Sequence, residues 1–217
     1  MLYLLMEQIV IIVALILSIV LHEMAHGHAA NALGDPTARL QGRLSPNPLV
    51  HLDPLGSIII PGLLFFGSAG ILFGWAKPVP YNPYNLNNQK WGEALVAAAG
   101  PAVNVLLAVV FAGIIRLASL LDLPGSFVEI AWYVVYINIL LAIFNMLPIP
   151  PLDGSKILAS ILPFNAAMQY RQFTRWTEQY GIFAMFAFIF LFLMFFSGPF
   201  FSFVYGIVTL LTGVRVI

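Results

Sequence analysis

Residues 9–26 read IVIIVALILSIVLHEMAH: a run that is apolar except for Ser18 and free of Pro and Gly, ending directly on His22-Glu23-Met24-Ala25-His26. A breaker-free apolar run of this kind reads as a helix, and the surrounding apolar stretch, residues 3–30, exceeds the roughly 20 residues a bilayer span requires. Ionisable groups at membrane depth are costly and are therefore functional candidates. His22 and His26 stand four residues apart, which puts both imidazoles on one helix face about 6 Å apart, within the reach of one zinc ion. Glu23 lies beside them, placed to take a proton from an attacking water without being a ligand. Chance gives this HExxH pattern in only about two of a thousand chains of this composition. His28 lies beyond the motif and reads as an interfacial side chain that reaches toward water.

Outward from this helix, the composition agrees. Of 217 residues, 61% are hydrophobic and 8% charged, against roughly a quarter charged in soluble proteins. Nine basic and nine acidic residues leave no net charge, which removes the electrostatic basis for a nucleic-acid partner. With no cysteine in the chain, disulfides, thiol catalysis and thiolate metal sites are excluded, so a metal must be held by His, Asp or Glu. The first apolar stretch lacks a basic leader and a small-residue cleavage site, and it reads as a membrane helix rather than a removable signal.

Further apolar stretches cover residues 56–75, 92–121, 127–149 and 180–213, separated by polar, Pro-rich pieces at 34–54, 76–90 and 150–179. The expected fold is an all-α polytopic membrane protein, a three-helix core plus a C-terminal helical hairpin, with a re-entrant loop and short extended segments, residues 1–217 forming a single membrane-embedded domain. Ser197-Gly198-Pro199 interrupts the last apolar block and predicts a tight turn between helices 181–196 and 200–213, a C-terminal helical hairpin.

Two histidines are too few for a catalytic zinc, which takes three protein ligands and keeps an open position. His51, Asp53, Asp153 and Asp35 are the candidates for the third. Asp153 stands out because three prolines end the apolar helix just before it and Gly154 frees the backbone to turn its carboxylate inward. His51 and Asp53 read more simply as turn chemistry. Asn104 follows Ala97, Ala98, Ala99, Gly100 and Ala102, small residues that allow close helix approach, and reads as an amide bonded across a helix interface.

These segments together resemble the site-2 protease family of intramembrane zinc metalloproteases, in its compact form without a PDZ domain. The resemblance rests on His22-Glu23-Met24-Ala25-His26, Gly100-Pro101-Ala102-Val103-Asn104 and Asn145 through Asp153-Gly154. Gly42-Arg43-Leu44, Asn47-Pro48-Leu49, His51-Leu52-Asp53-Pro54 and Gly74-Trp75-Ala76-Lys77-Pro78-Val79-Pro80 are also similar to the family, and all occur in order. It implies one Zn2+ per chain held by His22, His26 and Asp153, with Glu23 as general base. Asn145 is implied to lie near the metal, where its amide could bind substrate backbone or the developing oxyanion. Residues 74–80 are implied to offer an edge for strand addition by an unwound substrate. The implied activity is hydrolysis of peptide bonds in or near the transmembrane segments of membrane proteins. From another class, the alternative is a non-catalytic metal-binding membrane protein, either a zinc transporter or a pseudoprotease.

A metal shared by His22, His26 and Asp153 also fixes topology. Residues 56–75 then begin and end on the metal's side, which favours a re-entrant segment over a span. Arg39, Arg43, Lys77, Lys90, Lys156, Arg171, Arg175 and Arg215 fall on that side and Arg116 opposite. The excess marks the metal's side as cytoplasmic, and the expected location is the inner (cytoplasmic) membrane.

Overall fold

A computed structural model describes residues 2–60, 63 and 76–214. Helix α1 (Leu2–Ala32) carries the HExxH motif without interruption. A one-turn helix α2 (Thr37–Leu40) follows, then a π-helical stretch at Pro54–Ile59. Most of the 56–75 segment, including residues 64–75 and so Gly74 and Trp75, lies outside the described residues. The next helices are α3 (Gly92–Arg116), α4 (Gly125–Asn145), α5 (Asp153–Ile161) and α6 (Phe164–Thr212). No strand occurs among the described residues.

Among the described residues, four helices are long and apolar enough to cross a bilayer: Ile9–Ala32, Gly92–Arg116, Gly125–Asn145 and Ala187–Thr212. The protein is an all-α, multi-pass membrane protein. Ile9, Ile12, Val13, Ile16 and Leu17 on α1, and Val105, Leu106, Val109 and Val110 on α3, are exposed. Such faces suit hydrocarbon, where backbone groups must be satisfied within the helix and side chains need no water.

Helix α3 is the centre of the packing and contacts α1, α4, α5 and α6. Ala97, Gly100, Asn104, Ala108, Ala112 and Ile115 recur at helical spacing and are all buried. Lipid is as apolar as a leucine side chain, so helices associate in it through close contact and interhelical hydrogen bonds, and a stripe of small residues supplies the closeness. Deeper in the bundle, Ala108 and Ala112 meet Ala131, Trp132 and Val135 of α4 and Val204 and Val208 of α6.

The C-terminal block differs from its sequence reading. No turn forms at Ser197-Gly198-Pro199, where the chain stays helical. Phe192 and Phe200, either side of the expected turn, make an edge-on ring contact at 5.0 Å. Proline forfeits one backbone hydrogen bond, whereas a turn at membrane depth would strand several carbonyl and N–H groups with no water to take them. The break comes instead at Gly181, with φ 49° and ψ −119°, a backbone region that glycine enters without the steric cost a Cβ brings. Residues 164–180 thus form one helical piece and residues 182–212 another, which contains the candidate span Ala187–Thr212.

This alters one topological expectation. Arg116, at the end of α3 remote from His22, donates to the carbonyls of Leu211 at 2.5 Å and Leu210 at 2.6 Å. The end of α6 therefore lies at the face opposite the HExxH residues. Arg215, expected on the HExxH side, lies outside the described residues. The other seven basic residues assigned to the HExxH side keep the asymmetry.

Candidate metal centre

The local helix geometry of α1 brings the two motif histidines together, with ring centroids 4.7 Å apart. Asp153 arrives from the other end of the fold. After α4 ends at Asn145, the chain turns through Leu147-Pro148-Ile149-Pro150-Pro151-Leu152, and Asp153 is the first residue of α5. Gly154 is pressed against the backbone of Met146 and Leu147 so closely that a Cβ would fall on the Met146 carbonyl. That contact turns the start of α5 back on the residues that end α4, and with α5 packed against α3 it aims Asp153 at the histidines.

The result is three converging atoms. Asp153 Oδ2 lies 3.2 Å from Nε2 of His22 and 3.2 Å from Nε2 of His26, and the two Nε2 atoms are 3.1 Å apart. All three residues are buried. The opposite ring nitrogens show what these atoms carry. His26 Nδ1 donates to the Val96 carbonyl at 2.7 Å, and a carbonyl can only accept, so His26 Nε2 bears a lone pair. His22 Nδ1 donates to Asn104 Oδ1 at 2.5 Å. With Nδ1 of each neutral ring engaged outward, both Nε2 lone pairs and Asp153 Oδ2 face one point, the arrangement that a bound cation would join. Tetrahedral zinc at about 2.0–2.1 Å from each ligand would leave ligand atoms about 3.3 Å apart, so donor types and spacing both fit that metal. Outward hydrogen bonds from ligand histidines are the usual means of fixing tautomer and ring orientation.

Gly100 completes the enclosure. A Cβ there would stand 2.5 Å from Nε2 of His26 and 2.6 Å from Nε2 of His22. The small residues on α3 thus do more than let helices approach, since at Gly100 they leave room in front of the metal-facing atoms. The outer oxygen of Asp153 faces the Lys156 ammonium at 3.9 Å.

Glu23 is half-buried beside this set and accepts from the Val79 N–H at 2.9 Å. Residues 76–82, extended but unpaired as a strand, form a strap that the Pro-rich 34–54 segment holds in place. Lys77 N–H donates to the His51 carbonyl at 2.8 Å, Arg43 reaches the Lys77 and Pro78 carbonyls at 2.8 and 3.1 Å, and Asn82 N–H donates to Asp35 at 2.7 Å. Within the described part of this stretch the N–H groups of Lys77 and Val79 are engaged inside the protein and Pro78 and Pro80 have none, which leaves carbonyls as the groups an added strand could use.

The remaining candidates fall away from the cluster. Asp53 caps the following turn, accepting from Gly56 N–H at 2.7 Å, and His51 Nε2 donates to the Ser45 carbonyl at 2.9 Å. Both perform the turn chemistry the sequence suggested. Asp35 is wholly buried among Thr37, Asn82 and Asn85. His28 is exposed. Asn145 Nδ2 donates to the Leu141 carbonyl of its own helix at 2.9 Å, which leaves its second N–H and its oxygen. Sequence reasoning missed Asn138 and Ser18, which hold Asn104; a lone Asn inside an apolar span was the signal available.

The chain matches the model of Peptidase family M50 over residues 112–192. It is 36% identical over 180 residues to the candidate zinc metalloprotease YwhC of Bacillus subtilis (strain 168), covering 79% of this chain and 75% of that protein. To the candidate zinc metalloprotease Rip2 of Mycolicibacterium smegmatis it is 31% identical, over 67% of this chain and 54% of the relative. A shorter match, 48% identical over 64 residues, joins it to the candidate zinc metalloprotease MJ0611 of Methanocaldococcus jannaschii, covering 29% of this chain and 31% of that one. No solved structure matches the chain significantly.

Proposed function

The chain belongs to peptidase family M50, and we propose that it is an intramembrane zinc metalloprotease whose single Zn2+ is held by His22, His26 and Asp153. The observation that carries this reading is the meeting of three buried ligand-type atoms at 3.1–3.2 Å, close to the spacing that tetrahedral zinc gives its ligands. When bound, zinc supplies Lewis-acid polarisation of the scissile carbonyl and a water that ionises near neutral pH. Glu23 is the general base: it takes the proton of the attacking water and delivers it to the leaving amine. The Val79 N–H occupies Glu23 Oε2 and so holds the carboxylate in one orientation. Asn145, with one N–H uncommitted, is the candidate for binding substrate backbone or the oxyanion.

Substrates are the transmembrane segments of membrane proteins, and the bilayer is the medium in which they are met. A helical peptide bond is hydrogen-bonded and covered, so a segment must unwind before cleavage, and helix-breaking residues near the cut favour it. Seven basic residues on the HExxH side of the described chain support an active site facing the cytoplasm, in the cytoplasmic membrane. Residues 1–217 act as one membrane-embedded unit. Nothing in the site or among the relatives favours a zinc transporter or a pseudoprotease.

The test is cleavage of single-span model substrates by purified protein, comparing wild type with Glu23→Gln at matched zinc content. The variant is expected to keep its zinc and lose cleavage. A variant that cuts as well as wild type removes Glu23 from the mechanism.

A further inference from the structure

Three polar side chains from three different spans meet below the metal ligands. Ser18 of α1, Asn104 of α3 and Asn138 of α4 are 3%, 0% and 0% exposed. We infer that Asn138, which touches no metal ligand, is a positioning residue for the metal: through Asn104 it dictates which nitrogen of His22 faces the metal site. The inference rests on the zinc-protease reading above.

Orientation begins at the Val134 carbonyl, which can only accept. Asn138 Nδ2 donates to it at 2.9 Å and to Ser18 Oγ at 2.9 Å. The Asn138 amide can therefore face one way only, with Oδ1 turned to α3. That oxygen accepts from Asn104 Nδ2 at 2.7 Å, and the same Nδ2 reaches the Ser18 carbonyl at 3.5 Å. Asn104 is thereby fixed in its turn, with Oδ1 presented to His22 Nδ1. An oxygen there demands a proton on Nδ1, and the lone pair is left on Nε2, facing His26 and Asp153. Reversing the Asn104 amide would place its NH2 against Nδ1, move the proton to Nε2 and leave His22 without a lone pair for the metal.

Three polar groups on three spans also bind helices together. Helix association can be met by any well-paired polar group, whereas only an acceptor facing Nδ1 sets the His22 tautomer. The two roles are therefore separable.

The experiment uses the full chain in nanodiscs and measures zinc affinity by competition with a chromophoric chelator. Asn138→Leu removes the anchor, and its affinity is expected to fall about 10–100-fold, the usual consequence of losing an outer partner of a ligand histidine. Adding Asn104→Asp should restore affinity to within about threefold of wild type, because a carboxylate accepts from Nδ1–H with either oxygen and needs no orienting. A packing role for Asn138 would not be rescued this way. Independently, 15N spectra of histidine-labelled, zinc-free wild type should show His22 protonated at Nδ1, and an Nε2–H form overturns the inference even if Asn138→Leu does not fold. Wild-type affinity in Asn138→Leu, loss without rescue, or an Nε2–H form of His22 overturns the inference. His22→Ala separates the two levels: if it binds zinc like wild type, the metal centre itself is misassigned. If it loses zinc while Asn138→Leu does not, only the positioning role fails.

Discussion

The backbone N–H of Val79 donates to the side chain of Glu23 at 2.9 Å, joining residues 56 apart in sequence. The orientation of the proposed base therefore depends on a strap that Arg43 clamps by the carbonyls of Lys77 and Pro78. Arg43→Ala should leave zinc stoichiometry unchanged and reduce kcat about 10–100-fold, the scale expected when a reacting group is displaced by an ångström or so. Cleavage kinetics beside zinc analysis check this, and an unaltered kcat would show that Glu23 is held without the strap.

Gly100→Ala separates helix stability from metal binding. Alanine is favoured over glycine in a helix interior by about 1 kcal/mol, yet its Cβ would crowd Nε2 of both histidines at 2.5 and 2.6 Å. The expected outcome is a folded protein with zinc content well below one per chain. Full zinc loading would mean that α3 shifts at no cost to the centre.

The Asp35 carboxylate ties the end of α1 to the strap. Burial alone would raise its pKa; hydrogen bonds from the Thr37 hydroxyl, the Asn85 amide and the N–H groups of Asn82 and Thr37 outweigh this and hold it below the usual carboxylate range. A lowered folded pKa means stabilisation that is fully present above the unfolded value of about 3.9 and lost as pH falls through the folded one. Asp35→Asn, which turns an amide donor toward those donors, should destabilise the protein by about 1–3 kcal/mol at neutral pH. Thermal unfolding should show the gap to wild type narrowing below about pH 4; a gap independent of pH would contradict the assignment.

Orientation in the membrane is directly measurable because the chain has no cysteine of its own. A single cysteine at Asp122, in the turn between α3 and α4, should react with a membrane-impermeant maleimide added to intact cells. One at Asn88, before α3 on the HExxH side, should react only after the cytoplasmic face is opened. The reverse pattern would place the proposed active site on the outer face.

What was legible in the sequence divides by range. His22 and His26 are related by one helical turn, so their spacing alone gives their juxtaposition, and Asp153 is signalled by the prolines and glycine around it. The turn at Ser197-Gly198-Pro199 was misread because proline and glycine punctuate chains in water, whereas in hydrocarbon the backbone's need for internal hydrogen bonds overrides them. Gly181, where the chain does break, is flanked by Tyr180 and Ile182 and carries no local mark of its positive φ. Asn138 and Asn104 are 34 residues apart, and only the packing of α3 on α4 makes them partners. The course of residues 76–82 depends on Arg43, His51 and Asp35, which no periodicity connects to it.

The third proposed ligand lies 131 residues after the first. A ribosome that has inserted α1 into the membrane has made both histidines and the glutamate, but no centre; a hydrolytic site comes into being only after α3, α4 and the Pro-rich turn have followed and Asp153 has been threaded back beneath them. On the proposed ligand set, order of synthesis acts as a safety catch: a chain truncated before α5 would lack Asp153, and the centre would be complete only with a nearly assembled bundle around it.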